Sequence, residues 1–79
     1  MRGANLNGAV LNGAMLVNID ATKGRFCTAN LMGCNLTGAI FTNANLNHAV
    51  IRQCTLSNEQ KDYAVSSGAD ARENQLTDG

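Results

Sequence analysis

The sequence predicts an all-β fold in which short extended segments wind into a stacked coil, closed by one short α-helix and followed by a mobile polar tail. Three observations lead there. Large apolar residues recur every five positions from Leu6 to Leu56, small residues stand two positions before each of them, and Gly or Asn separates many of the pairs. Aromatic rings are nearly absent, with Phe26, Phe41 and Tyr63 the full set. A chain of 79 residues without large rings needs a regular stack of small side chains in place of an ordinary core.

The coil comes first. Leu6, Leu11, Leu16, Ala21, Phe26, Leu31, Leu36, Phe41, Leu46, Ile51 and Leu56 form one register, and Ala4, Ala9, Ala14, Ile19, Gly24, Ala29, Cys34, Ala39, Ala44, Ala49 and Cys54 form the second. A helix needs apolar spacings of three and four, and a half-buried strand needs two. This chain alternates two and three. The spacing of two puts both residues on the inner side of a short extended segment, and the extra residue demands a corner. Gly3, Gly8, Gly13, Gly33 and Gly38, with Asn18, Asn43 and Asn58, hold the corner position, where tight-turn geometry favours those residues. Segments that bend inward repeatedly wind into a coil whose layers pair at about 4.8 Å.

The register resembles the pentapeptide-repeat family, whose pattern is Ala-(Asp/Asn)-Leu-x-x. Ala4-Asn5-Leu6, Ala29-Asn30-Leu31 and Ala44-Asn45-Leu46 match it fully, and the resemblance covers residues 3–57. It implies a right-handed quadrilateral β-helix with four pentads per coil and about 2.75 coils. Core residues would then stack in columns: Leu6, Phe26 and Leu46; Leu11, Leu31 and Ile51; Leu16, Leu36 and Leu56; Ala21 and Phe41. Departures from the pattern compensate in volume, small Ala21 beside large Ile19 and large Phe26 beside Gly24.

The domain division expected is a repeat coil over 1–57, a capping helix over 58–65 and a flexible tail over 66–79. Ser57-Asn58-Glu59-Gln60 reads as a capping box that opens the helix, with Tyr63 and Ala64 laid over the last coil. From Ser66 the sequence is polar and aperiodic, with Leu76 its one large apolar residue, hence the expectation of mobility.

Charge divides along the same line. Residues 1–56 carry Arg2, Lys23, Arg25 and Arg52 against Asp20, a net of +3, and residues 57–79 carry a net of −3. No apolar run approaches the roughly 18 residues of a membrane span, and no basic-then-apolar leader opens the chain, so it is expected to be soluble and not inserted in a membrane. Three cysteines without zinc-type pairing fit a reducing, cytoplasmic setting, although export after removal of a leader is compatible with the sequence.

Catalytic, cofactor-binding and metal-binding residues are expected to be none. His48 stands alone at an outward corner, and there is no acid–base pair or nucleophile beside a base. Cys34 and Cys54 fall twenty apart on one inward column, close enough for a disulfide but with parallel side chains that disfavour its torsion, so they read as small buried thiols in preference to a bridge, and Cys27 faces outward. The expected function is a non-catalytic structural or protein-interaction module, meeting a protein partner or a second copy through its N-terminal end. The candidate interface there is Leu6, Val10, Leu11, Met15, Leu16, Val17 and Ile19, combining an uncovered first coil with an outward apolar cluster. The family resemblance offers an alternative, mimicry of duplex DNA toward a type II topoisomerase such as gyrase. The +3 repeat body disfavours it, since mimicry needs rows of negative charge. Nucleic-acid binding is not expected, because four dispersed cations lack interleaved aromatics.

Overall fold

The computed structural model describes residues 2–77, so Met1 of the expected repeat domain and the last two residues of the expected tail lie outside the described residues. Every isolated bridge is parallel and joins a residue to the one twenty further on, as in Asn5 with Arg25, Val10 with Asn30, Met15 with Asn35 and Asp20 with Ile40. Twenty residues are four pentads, so each circuit of the chain has four short sides. This is a β-helix-type fold.

The ladder repeats from side to side. The Arg25 amide donates to the Ala4 carbonyl at 2.8 Å while the Leu6 amide donates to the Arg25 carbonyl at 2.7 Å. Asn30, Asn35 and Ile40 make the equivalent pairs with Ala9 and Leu11, Ala14 and Leu16, and Ile19 and Ala21. The outward asparagine of a pentad also bonds locally. Asn5, Asn30, Asn35 and Asn45 each accept, through Oδ1, the amide two residues on at 3.0–3.1 Å. The side chain thereby holds the turn at the corner, which explains the polar residue between the two apolar registers.

All corners take a left-handed backbone. The glycines named above lie at φ +67 to +76, and Asn18 and Asn43 lie at +60 and +57. Lys23, Thr28, His48 and Gln53, at +57 to +60, occupy the same position without glycine's freedom. Asn58 is the exception, because it opens a helix and makes no corner.

Inside, Ala21, Phe26, Leu31, Leu36, Phe41, Leu46, Ile51 and Leu56 are buried, together with Leu16, while Leu6 and Leu11 are partly buried against them. Phe26 and Phe41 meet edge to face, with ring centroids 5.8 Å apart, a favoured aromatic geometry. Gly24 is required by that packing. A Cβ there would lie 2.7 Å from Phe26 Cε2 and 3.0 Å from the Ala21 carbonyl oxygen.

The named elements lie near the C-terminal end: β1 (Thr55–Leu56), α1 (Asn58–Ser66) and β2 (Gln75–Leu76), with β2 parallel to β1. The capping box is present. Ser57 Oγ accepts the Gln60 amide at 3.1 Å, and Gln60 Oε1 accepts the Ser57 amide at 2.7 Å.

The segment after α1 departs from the expectation of a mobile tail. Gly68, at φ +92, ends the helix with a Schellman pair, its amide donating to Val65 and the Ala69 amide donating to Ala64. The chain then rejoins the ladder, with Asp70 bridged to Val50 and Gln75 paired with Thr55, again twenty residues apart. Ala71 is buried in the inward register, Asn74 Oδ1 accepts the Cys54 amide at 2.8 Å, and Arg52 forms an ion pair with Glu73. The acidic segment is therefore held on the basic body by the same stacking that builds the rest.

Candidate interaction surface

The candidate surface is built by the first circuit. Asn5, Val10, Met15 and Asp20 are the bridged residues of its four sides, each paired to the residue above only through its neighbours' groups. Their own N–H and C=O groups point the other way, out of the N-terminal end, and among the described residues have no backbone partner. Val10 and Met15 are 76% and 74% exposed on adjacent sides, and Val17 is 38% exposed at the start of the corner that follows Met15. The inward residues of this circuit are less open than expected. Leu16 is buried, and Leu6, Leu11 and Ile19 are half-buried because the second circuit covers their upper surfaces.

Charge at this end is local and balanced. Arg2 reaches Asp20 at 3.1 Å. The Thr22 hydroxyl, then the Thr22 amide, and Arg2 lower the Asp20 carboxyl from 3.8 to about 2.

The other residues singled out by sequence are dispersed. Cys34 and Cys54 are free, buried thiols, and each Sγ donates to a carbonyl of the circuit below, Leu11 and Leu31 respectively, at 2.9 Å. Burial raises both thiols above their usual range. Cys27 is partly exposed on another side. His48 sits at an exposed corner, and among the described residues no cluster of His, Cys, Asp and Glu could hold a metal ion. Among those residues no helix is long and apolar enough to cross a membrane.

One feature escaped the sequence reading, a cleft of 460 Å³ between α1 and the side 38–42, lined by Ile40, Phe41, Gln60 and Tyr63 among others. Ile40, 47% exposed at an outward position, was the signal available for it.

A family model of pentapeptide repeats matches the chain in 8 copies, over residues 1–26 and 25–58. The chain belongs to the pentapeptide-repeat family. The match ends where α1 begins, yet this pentapeptide-repeat protein continues its ladder to Gln75 and Leu76 after the helix. No curated protein and no solved structure matches it.

Proposed function

We propose that the chain is a non-catalytic structural and protein-interaction module, a right-handed quadrilateral rod of about 2.75 coils before the helix, whose N-terminal end receives a protein partner or a second copy. The observation that carries this reading is the pair of apolar side chains, Val10 and Met15, exposed on adjacent sides of the first circuit. Neighbouring exposed apolar side chains on the flat sides of a rigid coil form a surface for association. The absence of catalysis is part of the proposal. Its support is that three of the surface cations are taken up in ion pairs, Arg2 with Asp20, Arg52 with Glu73 and Arg72 with Asp70.

The test is association with and without Leu11→Glu, which places a charge among the half-buried residues of that end. Light scattering and capture from the native source are run on both forms, with circular dichroism verifying that the variant folds. Association lost in the variant is expected. Association unchanged by Leu11→Glu, or none in either form, contradicts the reading.

A further inference from the structure

We infer that the lateral side built by Asn5, Arg25 and Asn45 in successive circuits is a second interaction surface, and that it takes an extended acidic segment of a partner protein. This surface is separate from the pair of Val10 and Met15, which lies around the corner held by Gly8, Thr28 and His48. A lateral side meets solvent whatever lies above or below it along the coil.

Two rows of side chains stand on this side. Asn5, Arg25 and Asn45 form one row and Asn7, Cys27 and Asn47 the other, in layers about 4.8 Å apart. All are exposed except Cys27, which is partly so. Lys23, also exposed, stands at the corner that leads into the side.

The side is equipped to donate. Asn5 and Asn45 each accept, through Oδ1, the amide two residues on, and Asn7 Oδ1 accepts the Cys27 amide at 3.0 Å. The main chain thus engages the oxygen of all three carboxamides, which leaves each NH2 to donate outward. Between them Arg25 adds a guanidinium and Lys23 an ammonium. Among the described residues neither enters an ion pair, in contrast to Arg2, Arg52 and Arg72. The acids of those residues lie elsewhere, Asp20 and Asp70 on other sides, Glu73 at another corner, Glu59 and Asp62 in α1. Two unpaired cations set among outward amide donors, on a side without acids, call for carboxylates.

Spacing and the lack of rings choose the partner. Lys23 and Arg25 are two residues apart and so lie within about 7 Å of each other at Cα. Acids at alternate residues of an extended peptide repeat at about 6.7 Å, which matches that interval. Nucleic acid is the poorer fit, because two cations neutralise few phosphates and the side has no ring on which a base would stack. Phe26 is buried inside the coil, and the Tyr63 hydroxyl is committed to the Ala44 carbonyl.

Cys27 reports on occupancy, since it lies in the middle of the side while Cys34 and Cys54 are buried. The experiment follows its alkylation by iodoacetamide through the mass of the chain. At low ionic strength an excess of a synthetic peptide of alternating Glu and Gly is expected to slow the reaction several-fold, and high salt to restore it. A peptide of alternating Gln and Gly is expected to leave it unchanged. The double variant Lys23→Gln with Arg25→Gln is expected to lose the protection. Both positions are exposed, and glutamine already holds a left-handed corner at Gln53, so the variant keeps the coil. Arg72→Gln, on another side, is expected to retain the protection. No slowing by the acidic peptide, or slowing that survives in the double variant, overturns the inference. Single-stranded DNA that slows the reaction as strongly as the acidic peptide overturns the assignment to a protein partner.

Discussion

At the scale of single residues, the coil depends on which atoms are absent as much as on which are present. Gly24 leaves room for the Phe26 ring, and Gly24→Ala drives a methyl to 2.7 Å from that fully buried ring. The expected loss is about 1–3 kcal/mol in denaturant unfolding, and the double variant Gly24→Ala with Phe26→Leu should recover part of it. A loss that is unchanged in the double variant would contradict the packing account. Asp20 gives a pH signature. Its folded carboxyl is lowered to about 2 from 3.8, so the stability it contributes is present above 3.8 and is lost as pH falls toward 2. The melting temperature of the unmutated chain should therefore fall more steeply across that window than that of Asp20→Asn. The volume exchange of Gly24 with Phe26 was legible in the sequence because both lie in inward registers. The strained corners at Thr28 and Gln53 are dictated by position in the pentad, and their residue types gave no sign of it.

At the scale of elements, α1 is a substitution within the coil as well as a cover for part of it. It replaces the sides that residues 60 and 65 would form, and its side chains take over the missing ladder bonds. Elsewhere, the central amide of each side donates to the carbonyl twenty-one residues earlier, as Asn45 does to Gly24 at 2.9 Å. Under α1, Gln60 Nε2 donates to Ala39 at 2.8 Å and to Leu36 at 2.7 Å, and the Tyr63 hydroxyl donates to Ala44 at 2.6 Å. Ser67 Oγ accepts the Leu46 amide at 3.1 Å. Tyr63→Phe leaves the Ala44 carbonyl without its donor and should cost about 1 kcal/mol, and Gln60→Glu, which sets a carboxylate against two carbonyl oxygens, should cost about 2–3 kcal/mol. Equal stability of all three forms in urea would show that these contacts do not fasten the helix. The start of α1 was legible from Ser57 and Gln60, a local signature. The return to the ladder was missed because the helix hides it, although Gly68 falls on the corner position and Ala69-Asp70-Ala71 on the pentad register.

At the scale of the whole molecule, the rod is one body in which the acidic segment and the basic coil are joined. The docked segment moderates the positive charge of the body through Arg52 with Glu73, so the case against DNA mimicry rests on the missing rows of negative charge. Stoichiometric chain is expected to leave gyrase supercoiling unchanged, and strong inhibition would contradict that expectation. The central claim is that the coil passes through the helix and resumes in register. Amide hydrogen exchange read residue by residue tests it most directly, because the Asp70, Gln75 and Thr77 amides donate to Ala49, Cys54 and Leu56 at 2.8, 2.8 and 3.0 Å. A resumed ladder should slow these three amides ~100-fold or more relative to an unstructured chain, alongside Val50 and Thr55, whereas exchange at the unstructured rate after Gly68 would contradict it.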